Sequence, residues 1–555
     1  MNDSGSNVAR HLRQAATERP DDLATKSPLS VSPEGKVVHA LCTFRQLDRE
    51  SDAAARIFHA DGISEGSRVL LAVKPGHDLI VGMFGLLKLG AVPVAIDPGM
   101  GWSAFLSCVH RSRPEAIVGL RRATILSRLP LPAFATLKHR VTVGGSRWRA
   151  LLQQCLAHPP RPMVKLAPDA PAAILFTSGS TGAPKGVSYT HGMFDAQINL
   201  IRDTYGIRPG EVDMPMLPLF ALFNPALGMT TVTPLLDPSH PLNAEAAPLI
   251  AALIAEKVTT SFGSPAIWGK IADACEARGL RLPDLRRLLI AGAPVSGELL
   301  AKLRVIAPNC ATHTPYGATE CLPATTISAE ELLGEARQQA LRGEGTCVGR
   351  PVSGVEVRII RETDSPIASL ATAQACAPGE IGEIIVTGPS VTRTYDGLPA
   401  ATLLAKISDG GRVWHRMGDL GRIDAEGRLF FLGRRIEKIR TAGGDLPTES
   451  VEPAFRTHPH VGRCALVAIG DAPNQIAVLV VEPRPGHFPQ NSGERETFAT
   501  ALRDAAKINP HASTVQGIVF QRSLPVDVRH NAKIHRLRLS KEWSGRLNPK
   551  SFRQP

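Results

Sequence analysis

The chain of 555 residues is 43% hydrophobic and 21% charged, an ordinary globular composition with length for about three or four structural units. Its nine cysteines are scattered without a Cys-x-x-Cys pair, and the N-terminus lacks a basic-then-apolar signal, so we expect a cytoplasmic protein with reduced cysteines and no zinc site. The net charge of +12 is spread along the chain without an aromatic-interleaved basic patch. This favours a solvated surface and an anionic substrate over binding to nucleic acid or to an anionic membrane surface.

The first part of the chain alternates apolar runs that are typical of strands with amphipathic helical patterns. This alternation predicts βαβ units and therefore a parallel sheet. The predicted elements are helices at 8–16 and 43–58, a strand at 67–73, a helix at 77–89, and strands at 91–96 and 115–119.

An apolar run at 172–176 reads as a buried strand, and it leads into a loop at 177–186 that is dense in Ser, Thr and Gly and carries Lys185. Glycines allow the backbone to approach an anion, while N–H groups, hydroxyls and one lysine supply donors and charge. The loop therefore predicts a phosphate site. It is not a Walker A motif, because Lys185 follows Pro184 and precedes Gly186. A flexible Ser/Gly linker is the less favoured alternative, since linkers rarely follow a buried strand.

A helix is predicted at 190–205, and residues 214–236 then contain no charged side chain. That length invites a transmembrane interpretation, but four prolines within it would break a helix. We interpret the segment as the wall of an apolar pocket, with plain buried core as the alternative. Strands are predicted at 259–263 and 288–291, and periodicity is lost between 361 and 378, which indicates a surface connection.

The loop motif Thr-Ser-Gly-Ser-Thr-Gly-x-Pro-Lys-Gly resembles the signature loop of the adenylate-forming superfamily, which includes acyl-CoA synthetases, peptide-synthetase adenylation domains and luciferases. The later stretch at 314–320 resembles the Tyr-Gly-x-Thr-Glu motif of this superfamily. By resemblance, Thr319, Glu320 and Lys533 are catalytic, Glu320 is the Mg²⁺ ligand, and ATP is the cosubstrate. The resemblance implies nucleotide contacts at Thr177, Ser178, Gly179, Ser180, Thr181, Gly182, Lys185, Gly292, Ala293, Pro294, Tyr316, Gly317, Asp419 and Arg434.

The resemblance also implies the fold, which is α/β. We expect a large N-terminal domain of two stacked α/β subdomains plus a small β subdomain at 1–433, followed by a smaller, mobile α+β lid domain at 434–555. Asp419 would take the ribose hydroxyls, and Lys533 lies in a stretch similar to the terminal Gly-Lys-Ile loop with Ala532 in place of glycine. The hinge position, usually Asp or Lys, is Ile436 here. No carrier domain is expected after Lys533, so we expect a freestanding enzyme.

The acyl-pocket motif of the superfamily falls at 218–225. The longer stretch 218–228, together with 236–238 and 529–534, looks most like the branch that makes β-lactones in bacterial long-chain olefin biosynthesis. The implied substrate is a 2-alkyl-3-hydroxyalkanoic acid whose own hydroxyl attacks the adenylate without coenzyme A. The implied partners are the decarboxylase and the reductase of that pathway. A medium- or long-chain fatty acyl-CoA synthetase is the alternative, and a non-catalytic nucleotide-binding protein is disfavoured. The residues expected to form the acyl pocket are Phe220, Ala221, Phe223 and Met229.

Overall fold

The structure is a computed structural model that describes residues 5–31, 37–177, 184–237, 243–527 and 533–547. The helices and strands of its first part are α1 Arg10–Glu18, β1 Leu23–Val31, β2 Val37–Thr43, α2 Phe44–Ala60, β3 Arg68–Ala72, α3 His77–Leu89, β4 Val92–Ile96, α4 Trp102–Ser112, β5 Ala116–Gly119, α5 Arg121–Leu126, β6 His139–Thr142, α6 Gly145–Leu156, β7 Pro171–Thr177, β8 Lys185–Thr190 and α7 His191–Tyr205.

The central part of the chain continues the alternation with shorter elements. These are β9 Val212–Asp213, α8 Asn224–Leu227, β10 Thr230–Val232, α9 Ala246–Ala255, β11 Thr260–Gly263, α10 Pro265–Arg278, β12 Arg287–Ile290, α11 Gly297–Ile306, β13 Ala311–Ala318, β14 Cys321–Ser328, α12 Ala329–Leu333 and α13 Glu335–Leu341.

Strands dominate the remainder as far as residue 434, and a mixed α+β region follows. The elements are β15 Thr346–Pro351, β16 Glu356–Ile360, β17 Gly382–Thr387, α14 Pro399–Ala405, β18 Lys406–Asp409, β19 Arg412–Ile423, β20 Leu429–Arg434, β21 Ile439–Thr441, β22 Gly444–Leu446, α15 Glu452–Phe455, β23 Val461–Ile469, β24 Ile476–Pro483, α16 Ser492–Ala505, β25 Gly517–Phe520 and α17 Arg536–Ser544.

A six-stranded sheet forms the first layer, in the order β6-β5-β3-β4-β7-β8. Its strands pair in parallel except for β7 with β8, which form a hairpin around the predicted phosphate loop. The predicted βαβ units are confirmed, because helices cross between parallel strands as the connection rules require. The start of α2 is fixed by a capping box between Thr43 and Gln46.

A second, larger sheet has the order β16-β17-β19-β20-β15-β14-β13-β12-β11-β9-β10-β1-β2, and β18 pairs with β19 near one end. The strands expected to form a small β subdomain extend this sheet, because β15 pairs with both β14 and β20. Antiparallel pairing of β13 with β14 and of β19 with β20 therefore lies in one continuous surface.

The uncharged stretch at 214–236 folds into a short 3₁₀ helix at Pro218–Leu222, then α8 and β10. Pro218 begins the 3₁₀ helix and Pro225 is the second residue of α8, and at both positions the missing N–H costs nothing. Among the described residues, no helix is both long and apolar enough to cross a membrane.

The molecule consists of a large, multi-sheet N-terminal domain and a smaller C-terminal domain. The smaller domain has its own sheet, β23-β24-β25, and its own buried cluster around Phe455, Leu466 and Leu479. It contacts the large domain through Thr346 on β15, whose hydroxyl donates to Glu449 Oε2 at 2.8 Å. The exact boundary at 433/434 stays a prediction.

Candidate active site

A cavity of about 1560 Å³ lies where β7, α7, the β13–β14 hairpin and strands β19 and β20 approach the C-terminal domain. The predicted site residues that line it are Lys185, Gly292, Ala293, Pro294, Tyr316, Gly317, Thr319, Glu320, Asp419, Arg434 and Lys533. Thr177 ends β7 and pairs with Lys185 across the hairpin. Ser178, Gly179, Ser180, Thr181 and Gly182 lie outside the described residues.

One polar end of the cavity is built on Asp419, which is 3% exposed. The antiparallel register of β19 and β20 sets Asp419 opposite Arg434, whose Nη1 lies 2.9 Å from Asp419 Oδ1. Tyr316 on β13 donates its hydroxyl to Asp419 Oδ2 at 2.6 Å. Burial raises the pKa of Asp419, and the charge of Arg434 opposes that effect.

Asp419 Oδ1 accepts no hydrogen bond from the part of the chain that the structure describes. Arg434 Nη1 donates a hydrogen bond to the Met417 carbonyl at 3.1 Å, and it lies 2.9 Å from Asp419 Oδ1 as an ion pair without hydrogen-bond geometry. Among the described residues, no group donates a hydrogen bond to that buried oxygen. Because buried carboxylate oxygens are normally hydrogen-bonded, this atom is suited to a hydroxyl donor from a bound molecule.

Glu320 lies at the turn between β13 and β14, and the structure surrounds it with groups from other strands. Tyr395 donates its hydroxyl to Glu320 Oε1 at 2.6 Å. Burial alone would raise the pKa of Glu320, but its surroundings lower it overall. His415 is fully buried, which lowers its pKa to about 3, so this imidazole is neutral at pH 7. The hydrogen bond from Tyr395 and the positive charge of Lys406, whose own pKa burial lowers to about 8, therefore hold Glu320 ionised.

Two glycines in these motifs lie where a Cβ would clash with neighbouring atoms. A Cβ on Gly317 would lie 2.3 Å from the Cys321 carbonyl oxygen, so only glycine allows the tight turn that presents Thr319 and Glu320. A Cβ on Gly186 would lie 2.7 Å from Phe176 Cζ, so glycine also sets the base of the β7–β8 hairpin.

The hairpin and the turn are tied to each other. Tyr189 on β8 donates its hydroxyl to the Thr319 carbonyl. Lys185 Nζ lies 4.8 Å from the centre of the Tyr395 ring, a cation–π distance. Arg111 Nη1 donates to the Pro184 carbonyl at 2.7 Å. Lys185 is thereby held above the tyrosine that contacts Glu320.

Lys533 reaches this cavity from the C-terminal domain, where its charge acts on Asp419. Its carbonyl accepts a hydrogen bond from Asp527 N at 2.9 Å. Three residues further on, Arg536 Nε donates to the fully buried Glu452 Oε1 at 2.9 Å, and Arg536 Nη1 lies 3.3 Å from Glu437 Oε2. This ion-pair network anchors the segment that carries Lys533.

The other end of the cavity is apolar. Phe220 and Phe223 line it, and Phe220 stacks on Phe262 with ring centres 3.7 Å apart. Ala221 and Met229 are buried, but neither is among the described residues that line the cavity. The uncharged segment therefore forms part of the cavity wall. Of its four predicted residues, Phe220 and Phe223 line the cavity, and Ala221 and Met229 lie behind the wall. Leu217, Leu222 and Ala226 of the same segment also line the cavity, and further lining comes from distant segments through Val8, Met83, Phe84, Leu87, Phe194 and Ile198.

Sequence reasoning missed Tyr395, Lys406 and His415. They come from β18, β19 and the segment before α14, and no spacing pattern connects them to Glu320 in the sequence. It also missed Gln197, a buried glutamine on α7 that lines the cavity. The signal for Gln197 that the sequence offered was an amide side chain within an otherwise apolar face of the predicted helix.

Comparisons with known proteins agree with this geometry. The profile of the AMP-binding enzyme family matches residues 12–396. The chain is 42% identical over 546 residues to the olefin beta-lactone synthetase of Xanthomonas campestris pv. campestris, covering 96% of this chain and 97% of the relative. It is 41% identical over 558 residues to the olefin beta-lactone synthetase of Stenotrophomonas maltophilia, covering 98% and 99%.

The fold is also found among solved structures. ATP-bound MatB from Rhodopseudomonas palustris superposes with a TM-score of 0.76 at 18% identity, covering 97% of this chain and 99% of that one. At this identity the likeness concerns the fold alone.

Proposed function

Because this chain belongs to the AMP-binding enzyme family and is an AMP-forming adenylating enzyme that uses ATP, we propose that it makes a β-lactone. Its substrate would be a 2-alkyl-3-hydroxyalkanoic acid, which is first activated as an acyl adenylate. The 3-hydroxyl of the same molecule then attacks the activated carbonyl. The products are the β-lactone, AMP and pyrophosphate.

The first task of such a site is to overcome repulsion between a carboxylate and the phosphates of ATP. We assign this task to Lys185, Lys533 and the loop from Thr177 to Gly182. Lys533 would meet the charge on the carboxylate and the α-phosphate, where a preorganised cation costs no rearrangement during reaction. Thr319 would donate its hydroxyl to the same phosphate.

The nucleoside would be held by the groups around Asp419. Its buried Oδ1 lacks a hydrogen-bond donor from the described residues, and a ribose hydroxyl would supply one. Arg434 balances the charge of the carboxylate at 2.9 Å. The ring of Tyr316 and the backbone of Gly292, Ala293 and Pro294 would form the adenine-binding surface.

Glu320 fits the role of a Mg²⁺ ligand. It is a hard oxygen donor whose pKa is lowered, so it is ionised at neutral pH. Mg²⁺, when bound, would neutralise charge on the phosphate oxygens. Tyr395 orients the Glu320 carboxylate through the 2.6 Å hydrogen bond, and Lys406 compensates its charge from the protein side.

In the second step, the C3 hydroxyl oxygen bonds to C1 and the bond from C1 to the phosphate oxygen breaks. AMP leaves, and the hydroxyl proton passes to its phosphate. A four-membered ring is strained, so closure needs a good leaving group and a hydroxyl held against the carbonyl. Well-oriented intramolecular attack reaches effective molarities of about 10⁵–10⁸ M, which favours the internal hydroxyl over water and thiols.

The observation that carries the proposal is the cavity that joins the Glu320, Asp419 and Lys533 end to a wall of Phe194, Phe220 and Phe223. It offers an ionic end for ATP and the carboxylate and an apolar end for alkyl chains. The 42% identity over 96% of the chain to an olefin beta-lactone synthetase favours lactone closure over thioester formation.

The test supplies the purified protein with ATP, Mg²⁺ and a 2-alkyl-3-hydroxy acid, with and without coenzyme A. We expect one AMP for each β-lactone, whose carbonyl is observed by NMR or infrared. The yield should be the same with and without coenzyme A. The matched control is the acid that lacks the hydroxyl, which should be adenylated without giving lactone. Accumulation of a thioester that requires coenzyme A would instead establish an acyl-CoA synthetase.

We further propose that residues 434–555 act as a lid that shields the adenylate from water. Ile436 at the hinge is consistent with a lid that need not swing to admit a thiol. Assembly with a decarboxylase and a reductase of the same pathway stays a prediction.

A further inference from the structure

One face of α7 is turned toward the cavity. Phe194, Gln197 and Ile198 all line it, at the spacing that places side chains on one side of a helix. Two of these residues are apolar, as expected for a wall that receives alkyl chains. Gln197, at 4% exposure, is the polar exception.

The orientation of the Gln197 amide is determined by its surroundings. Gln197 Nε2 donates to the Leu322 carbonyl oxygen at 2.7 Å. A carbonyl can only accept, so the nitrogen must face Leu322 and Oε1 must occupy the other position. Among the described residues, no group donates a hydrogen bond to this Oε1. Since buried acceptors are normally satisfied, a hydroxyl of a bound molecule would complete the hydrogen bonding of this oxygen.

Gln197 lies at the junction between the polar and the apolar ends of the cavity. Its partner Leu322 comes two residues after Glu320 on the β13–β14 hairpin. One turn earlier on α7, Phe194 stacks on Tyr189 with ring centres 4.6 Å apart, and Tyr189 contacts the Thr319 carbonyl. A group bound at Gln197 would therefore sit beside the reacting carboxyl group, where alkyl binding begins.

We propose that Gln197 Oε1 accepts a hydrogen bond from the 3-hydroxyl of the substrate and so selects hydroxy acids. This inference rests on the proposed function, because it concerns the same substrate. Donation of the hydroxyl hydrogen to Oε1 leaves the lone pairs of the hydroxyl oxygen free to face C1. An amide oxygen does not take up the proton, so Gln197 determines specificity and orientation and is not the base.

The test compares two acids that differ only in the 3-hydroxyl, in the wild-type protein and in Gln197→Met. Release of pyrophosphate, coupled to inorganic pyrophosphatase, measures adenylation of either acid whether or not a lactone follows, because hydrolysis of the pyrophosphate makes that step irreversible. We expect the wild type to prefer the hydroxy acid in kcat/KM by at least about tenfold, because the analogue leaves a buried acceptor unpaired. In Gln197→Met the preference should fall to about one.

Gln339→Met is the matched control. Gln339 on α13 is also buried, its Oε1 likewise has no donor among the described residues, and it is not one of the described residues that line the cavity. The Gln339→Met variant should leave the preference for the hydroxy acid unchanged. Loss of the contact with Leu322 would slow both acids alike, so only the ratio reports on Oε1.

The two proposals fail separately. An equal preference in wild type and Gln197→Met, with lactone still formed, would overturn the role of Gln197 and leave the proposed function standing. A preference that is lost in Gln197→Met, in a wild type that forms no lactone, would support Gln197 as the hydroxyl-binding residue and overturn lactone synthesis.

Discussion

Replacing Tyr395 with Phe removes one hydroxyl next to the proposed Mg²⁺ ligand and little else. The hydroxyl donates to Glu320 Oε1 at 2.6 Å. The ring remains, and with it the cation–π contacts of Lys185 at 4.8 Å and Lys406 at 5.7 Å. Any change in activity therefore reports on the hydrogen bond to Glu320.

The size of the effect follows from the charge of the acceptor. A hydrogen bond to a charged group contributes roughly 1.5–3 kcal/mol, and a buried carboxylate that loses its donor bears most of that cost. At about 1.36 kcal/mol per tenfold, adenylation should fall about 10- to 150-fold. The hydrogen bond lowers the pKa of Glu320, so its loss raises that pKa. The acid limb of the activity profile should therefore move to higher pH.

The assay is pyrophosphate exchange measured against Mg²⁺ concentration and pH. Tyr189→Phe is the matched control, because the Tyr189 hydroxyl donates to the neutral carbonyl of the neighbouring Thr319. Its loss should cost less, about 0.5–1.5 kcal/mol, and should shift neither the Mg²⁺ dependence nor the acid limb. If the adenylation rate of Tyr395→Phe stayed within about twofold of the wild-type rate at every Mg²⁺ concentration, activity would not depend on the hydrogen bond that orients Glu320.

Three further predictions concern other parts of the chain. Lys533→Ala should lower adenylation about 10²–10³-fold while ATP still binds, and near wild-type exchange would remove Lys533 from the mechanism. Ala226→Trp should fill the apolar end of the cavity and favour shorter acids, since four methylenes at about 0.8 kcal/mol each change affinity by roughly two orders of magnitude. Ala221→Trp, which lies behind the wall, should destabilise the fold instead. An unchanged chain-length profile in Ala226→Trp would contradict this pocket. Limited proteolysis should cut first at 433–444, and an adenylate analogue should slow the cleavage. First cleavage within 299–319 would refute the domain boundary.

Local signals in the sequence were strong enough to predict most of the first sheet. The predicted helix at 43–58 begins at a Thr–Gln capping box, and the structure has α2 at Phe44–Ala60. The predicted helix at 77–89 is α3 with the same bounds, and it ends at Gly90 in a left-handed conformation. Such caps are encoded by neighbouring residues, so sequence alone reveals them.

The apolar wall could be predicted as a segment but not residue by residue. Phe220, Ala221 and Phe223 lie in or next to one 3₁₀ turn, whose side chains point in different directions. Which of them meet the cavity depends on α3 and α7, which pack against this turn from elsewhere in the chain. The same holds for Lys406 and His415, which tertiary structure alone brings to Glu320.

The measurement that tests the central claim most directly is the product of a single-turnover reaction with ATP, Mg²⁺ and a 2-alkyl-3-hydroxy acid in the absence of coenzyme A. We predict one β-lactone and one AMP for each acid consumed, with no further turnover gained when coenzyme A is added. Release of AMP with only the free hydroxy acid recovered, or lactone-free turnover that depends on coenzyme A, would contradict the account.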